Sequence, residues 1–368
     1  MAPPNSRTVQ TSARPQSQQR YTYHISAAYS AKGQRLNPDQ NLYNYNPYMR
    51  VTKTATELAN GKKDKRNRPQ SGQDAFLVSN VGDTGAVAFG VADGVGGWTD
   101  SGIDPADFSH SLCDYMASAA GAFPDGFPEG PLRPRDLLQH GFQRVVQDKS
   151  IEGGGSTACI ATAEPDGRFE VANLGDSGFL QLGVNAVRNM SEPQTHAFNT
   201  PYQLSKLPPK MLAQMALFGG GAKPLQDLPK DAQIYNHQVK HGDVLVFATD
   251  GVWDNITPQE ILGVVSRLMS TFGGWRSAAN GLEVSKKLSA LTQKGGISKS
   301  GENTLQALLA LAITQEAKAA SLNQRRDGPF AKAVQKEYPS ENWHGGKPDD
   351  ICTVVAIAVM DEAPRAKL

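Results

Sequence analysis

Two stretches of the chain end alike. Residues 90–98 read GVADGVGGW and residues 244–255 read VLVFATDGVWDN. In each, an apolar run stops at an aspartate followed by Gly-Val: Asp93-Gly94-Val95 and Asp250-Gly251-Val252. An aspartate closing a strand presents its carboxylate at the edge of a sheet. The glycine behind it lets the backbone turn sharply and lets its carbonyl approach a ligand. Asp74 opens the apolar run DAFLVSN, Asp176 closes RFEVANLGD, and Asp349 and Asp350 open the run ICTVVAIAV. Singly, each is an ordinary turn residue. Gathered at one sheet edge, such carboxylates repel one another unless a cation compensates. Hard oxygen donors in that number suit Mg²⁺ or Mn²⁺, and Cys or His ligands at zinc spacing are absent.

The elements that must position these residues alternate in blocks. Residues 21–29, 74–80 and 85–93 predict strands, the last two as a pair. A helix is expected over about 105–120, capped by Asp104 with Pro105 in its first turn, and a second over 134–148. Strands follow at 156–164, 168–176, 177–183, 233–240 and 243–250, with turn signals PDG and GDSG between them. Helical patterns then cover 258–270, 278–293 and 302–318. Residues 323–348 are polar and rich in Gly and Pro and read as loop, and 351–359 form a last strand. Antiparallel strands with helices in separate blocks predict an α+β layered domain. No internal repeat or second domain boundary is evident.

Composition narrows the functional class. The 368 residues are 39% hydrophobic and 20% charged, with a net charge of +1. That balance, with no basic stripe, argues against nucleic acid as a partner and against a metal-dependent nuclease. No run is apolar enough to span a membrane. Cys113, Cys159 and Cys352 are far apart and read as buried free thiols. The first 38 residues contain Arg7, Arg14, Arg20, Lys32 and Arg35 but no Asp or Glu, and are rich in Ser, Thr, Gln and Pro. Residues 1–20 therefore read as a mitochondrial transit segment, pointing to the matrix. A disordered tail on a cytoplasmic protein is the alternative. The folded domain is expected over 21–362, with a tail at 363–368 and an exposed basic loop at 61–72.

Six motifs in order, GQDAF (72–76), VADGVGGW (91–98), GGGSTACI (153–160), ANLGDSG (172–178), ATDGVWDN (248–255) and GGKPDDICTVV (345–355), resemble the metal-dependent type 2C protein serine/threonine phosphatases, the PPM family. The DGVGGW loop and FNTPYQLS (198–205) are similar to the mitochondrial branch found in fungi and animals. The resemblance spans about residues 71–360. It implies an αββα sandwich of two packed antiparallel sheets with metals at one end. It implies Asp93 as the aspartate bridging two ions, Gly94 as a carbonyl ligand, and Asp250 and Asp349 as further carboxylate ligands. Asp74 would hold metal-bound water, Asp176 would serve a third ion, and Ser156 and Thr157 would align a strand.

The implied reaction is hydrolysis of phosphoserine and phosphothreonine in phosphoprotein substrates. A hydroxide bridging two Mg²⁺ or Mn²⁺ ions, about 3.5 to 4 Å apart, attacks phosphorus in line. Asp74, Asp93, Asp250 and Asp349 form the catalytic set, and an arginine usually offsets phosphate charge. The chain departs from the pattern in three places. Arg68 is the nearest candidate phosphate ligand but lies off the family spacing. Gln73 stands where an acid is usual before Asp74. Val95 stands where many members carry a histidine, leaving His196 as the candidate general acid. Gln73 keeps open an alternative: a weakly active relative that binds phosphoproteins as a regulator. Oligomeric state is not readable from the sequence.

Overall fold

A computed structural model describes residues 20–48, 68–218, 225–279, 281–297 and 303–361. The transit segment expected at 1–20 lies outside these residues except for Arg20, as do most of the basic loop at 61–72 and the tail at 363–368. The first strands are β1 (Tyr21–Ser30), β2 (Leu42–Asn44), β3 (Asp74–Asn80), β4 (Val87–Asp93), β5 (Gly154–Ser156), β6 (Ala158–Ala163), β7 (Arg168–Leu174), β8 (Gly178–Gly183) and β9 (Ala186–Met190). They continue as β10 (Thr195–Ala197), β11 (Thr200–Pro201), β12 (Leu204–Lys206), β13 (Gln233–Gln238), β14 (Val244–Ala248), β15 (Trp275–Ala278), β16 (Gly281–Val284) and β17 (Ile351–Met360). The helices are α1 (Pro105–Gly121), α2 (Pro134–Gln147), α3 (Pro209–Phe218), α4 (Asp250–Trp253), α5 (Pro258–Thr271), α6 (Leu288–Leu291), α7 (Leu305–Ser321) and α8 (Pro329–Glu337).

Two antiparallel sheets carry the domain. One has the order β2-β1-β17-β14-β8-β9 and the other β13-β7-β6-β4-β3. β1 and β17 pair along their whole length, from Tyr21↔Met360 to Ser30↔Ile351. β17 is mostly apolar on both faces, as a strand covered from two sides must be, whereas β1 turns Thr22, His24, Ser26 and Ser30 to one face and Tyr21, Tyr23, Ile25, Ala27 and Tyr29 to the other. The sheets meet face to face through aromatic rings: Phe89 of β4 lies 5.1 Å from Phe247 of β14, and Phe169 of β7 lies 6.3 Å from Phe179 of β8. Leu112 and Met116 of α1 and Leu137 and Leu138 of α2 cover the outer face of the five-stranded sheet. Val265 of α5 and Leu309 and Ile313 of α7 cover the six-stranded one, against Val246, Val355 and Ile357. Each such side chain, removed from water, contributes roughly 1.5–3 kcal/mol. The layers are αββα, as the resemblance implied.

Most expected elements are present, including the Asp104 cap, whose carboxylate accepts from the Ala106 N–H at 3.1 Å. Four differ. The helix expected over 278–293 is instead the β15–β16 hairpin followed by the short α6. The Asn280-Gly281 pair in the sequence is a hairpin signal that outweighs the apolar spacing around it. The loop expected over 323–348 contains α8, which buries Ala331 and Val334 from an otherwise polar segment. Neither Asp250 nor Asp176 closes its strand: β14 ends at Ala248, with Asp250 the first residue of α4, and β7 ends at Leu174, with Asp176 in the turn that follows. All three cysteines are free and buried.

Candidate active site

The site is built where β3 begins and β4 ends. Asp74 and Asp93 are direct register partners on these antiparallel strands, so their side chains share one face of the sheet. Asp74 is 1% exposed and accepts the Thr249 hydroxyl at 2.7 Å from the opposite sheet. The backbone of Asp93 is held by Thr157, which accepts its N–H on Oγ1 at 3.2 Å and donates its own N–H to the Asp93 carbonyl at 2.9 Å. Thr157 Oγ1 also bonds Ser177 Oγ at 2.7 Å, beside Asp176. This is the alignment expected of the Ser156-Thr157 pair, and Ser156 forms a bridge with Gly94.

The repeated Asp-Gly has a packing cause at both ends. A Cβ on Gly94 would lie 2.9 Å from the carbonyl oxygens of Gln73 and Pro105. A Cβ on Gly251 would overlap the Asp350 carbonyl oxygen. In each case a neighbouring main chain passes where a side chain would stand, so only glycine lets the aspartate beside it reach the sheet edge.

The carboxylates feel one another. Burial pushes Asp74 well above the ordinary carboxylate range, and Asp350, Asp250 and Asp349 push the same way against the Thr249 hydrogen bond. Asp93 is raised by burial and then by Asp74, Asp250, Asp176 and Asp349. Burial and Asp250 raise Asp176 to about 7, and burial and Asp250 likewise raise Asp349. Five of the six candidate metal-site residues, Asp74, Asp93, Asp176, Asp250 and Asp349, thus share one electrostatic field, with Gly94 adjoining Asp93.

Three further groups belong to the site. Lys347 sends its ammonium to Asp250 Oδ2 at 2.7 Å, Asp254 Oδ2 at 2.6 Å and Asp349 Oδ2 at 3.3 Å. Burial alone would weaken that charge, but Asp250, Asp254 and Asp349 more than offset it. Burial and Asp250 raise Asp254 to about 8, partly countered by Lys347. Asp350 accepts from the Lys32 N–H at 2.6 Å and the Gln73 N–H at 2.8 Å, pinning two chain segments beside the acids. Asp254 was findable from its i,i+4 spacing to Asp250 on one helical turn. Asp350 is marked beside Asp349 at the head of the last apolar run, but nothing local marks Thr249, whose partner Asp74 is remote in sequence.

The donor set suits a hard divalent cation, and a cation, the Lys347 ammonium, already sits among its oxygens. Among the described residues no three His, Cys, Asp or Glu side chains close around a single ion position. Mg²⁺ does not require such a cage, since it keeps several waters and takes one or two carboxylates. Two sequence candidates are engaged by other carboxylates. Arg68 is bound to Asp107, with Asp104 3.6 Å away, at the start of α1. His196 bonds Asp227 at 2.9 Å and stacks on Tyr202 at 4.2 Å. Gln73 is half-buried, and its carbonyl accepts from the Gly94 N–H and the Ser109 hydroxyl.

Paired Asp74 and Asp93 at strand ends, in the field of Asp176, Asp250 and Asp349 beside an αββα sandwich, fit a metal-dependent phosphatase. The family description Protein phosphatase 2C matches residues 63–291, and the chain belongs to that family. It is 31% identical over 291 residues to "Protein phosphatase 2C homolog 7, mitochondrial" of Saccharomyces cerevisiae, spanning 78% of this chain and 74% of that protein. It is 32% identical over 290 residues to "Protein phosphatase PTC7 homolog" of Danio rerio, spanning 78% of this chain and 81% of that one. Among solved structures it is similar to the photosystem II phosphatase PBCP, with a TM-score of 0.54 and 25% identity over 77% of this chain and 91% of that one. The chain is a metal-dependent protein phosphatase.

Proposed function

We propose that the protein hydrolyses phosphoserine and phosphothreonine in protein substrates at the edge formed by Asp74, Asp93, Asp250 and Asp349. The observation that carries this reading is the pairing of Asp74 with Asp93 in the field of Asp250 and Asp349. Asp93, Asp250, Asp349 and the Gly94 carbonyl would hold two Mg²⁺ or Mn²⁺ ions, with Asp74 oriented toward their water and Asp176 serving a third. When bound, the ions supply Lewis acidity and an activated nucleophile at neutral pH. The chain's own part is placement. Thr157 fixes the Asp93 backbone and Thr249 orients the Asp74 carboxylate. Gly94 and Gly251 let the main chain close behind both acids. Arg68 is the candidate phosphate ligand; to act, it must exchange Asp107 for the substrate.

The yeast relative's name includes "mitochondrial". With the acid-free N-terminal composition, this supports a mitochondrial, matrix location and a domain over 21–362 preceded by a transit segment. Among the described residues no helix is long and apolar enough to cross a membrane. The test is phosphate release from phosphoserine, phosphothreonine and phosphotyrosine peptides with Mn²⁺ or Mg²⁺. Release from the first two, abolished by chelator and restored by metal, is expected. Equal activity with chelator present overturns the reading.

A further inference from the structure

Lys347 is held in place by the fold. Its side chain is 15% exposed. Its N–H donates to Asn255 Oδ1 and its carbonyl accepts from Asn255 Nδ2, each at 2.9 Å, so one buried amide clamps both sides of its backbone. Gly346 packs against the end of α7, where a Cβ would strike the Ala320 carbonyl. The ammonium also stands 4.9 Å from the centre of the Phe330 ring on α8. A lysine fixed on four sides, with its charge among three carboxylates, is a built cation position. Two of those carboxylates, Asp250 and Asp349, are candidate metal ligands; the third, Asp254, is not.

We propose that Lys347 is a resident counter-cation that competes with the divalent ion for Asp250 and Asp349 and withdraws onto Asp254 and the Phe330 face when metal binds. The inference rests on the metal-site reading above. An ammonium and a divalent ion cannot both occupy the same oxygen lone pairs at contact distance, and the two cations repel. A divalent ion that takes Asp250 Oδ2 and Asp349 Oδ2 displaces the lysine from two of its three partners, while Asp254 keeps it from being expelled into solvent. Lys347 thereby offsets carboxylate repulsion in the metal-free chain and raises the metal concentration at which the site fills.

The test is Mn²⁺ binding by the full chain, stripped with chelator, measured through the electron paramagnetic resonance signal of free Mn²⁺. Lys347→Gln is expected to tighten the dissociation constant about tenfold or more. Lys347→Arg, which keeps the charge, stays within about threefold of the wild type. The metal-free melting temperature of Lys347→Gln falls, and saturating Mn²⁺ closes the gap. A site merely damaged by the substitution would bind metal more weakly, so tightening separates competition from support. Unchanged or weaker Mn²⁺ binding by Lys347→Gln overturns the proposal. If that variant does not fold without metal, chelator competition from Mn²⁺-loaded protein measures the same constant from the dissociation side. Asp250→Asn is the control: should it leave Mn²⁺ binding intact, the metal-site reading itself fails.

Discussion

The hydroxyl of Thr249 ties the two sheets together at the acidic cluster, donating to Asp74 Oδ2 at 2.7 Å while accepting the Cys352 N–H at 3.0 Å. Thr249 is fully buried, so valine can take its shape but neither of its hydrogen bonds. Loss of a donor to a buried carboxylate costs roughly 1–3 kcal/mol. Thr249→Val should lower the melting temperature by a few degrees and raise the Mn²⁺ concentration for half activity, with Thr249→Ser restoring both. Wild-type behaviour of the valine variant in thermal melts and metal titrations would show that Asp74 is oriented by something else.

Asp93 is a candidate ligand and also a source of repulsion. Asp93→Asn should reduce turnover about a hundredfold or more, since it neutralises a carboxylate at a site that acts through bound cations. The same change relieves the repulsion from Asp74, Asp250, Asp176 and Asp349. The metal-free variant should therefore melt at or above the wild-type temperature. Turnover in Mn²⁺ equal to the wild type would refute the assignment.

Metal-free stability should fall as pH rises. Asp176 and Asp254 have folded values of about 7 and about 8 against an ordinary 3.8. The folded chain thus holds protons that the unfolded chain has released. That contribution is complete below about pH 4 and is lost as pH rises through about 7 and about 8. His24 and His110, depressed to about 4 from 6.5, work in the opposite sense, but only below about pH 6.5. The window between about 6.5 and 8 is therefore the place to look. Melting curves should decline there in chelator and flatten in saturating Mg²⁺; a flat profile in chelator would contradict the shared field.

Gln73 has its backbone fixed at both ends, by Asp350 on its N–H and by Gly94 and Ser109 on its carbonyl. Gln73→Glu adds a charge of nearly the same shape without moving the chain. If the position reaches a metal, directly or through water, the Mn²⁺ midpoint should drop by roughly ten- to a hundredfold, equivalent to about 1–3 kcal/mol. An unmoved midpoint would remove the argument for a weakened enzyme.

The sequence alone determined the class of chemistry and most of the frame. Asp93 and Asp250 were legible because an apolar run ending in Asp-Gly is a local pattern, and β1, β4, α1 and β17 because periodicity and caps are local too. Tertiary structure decided what those residues meet. The glycines of the two Asp-Gly pairs answer to main chain from elsewhere: Gln73 and Pro105 in one case, Asp350 in the other. Arg68 lies near the first acidic motif in sequence, yet its charge is spent on α1. Lys347 looks in sequence like any lysine of a polar loop. Only the Asn255 clamp and the packing of Gly346 on α7 place it among three carboxylates. A side chain's type is written locally, but its partners are set by chain closure between segments hundreds of residues apart, such as Gln73 and Asp350, and no spacing in the sequence encodes them.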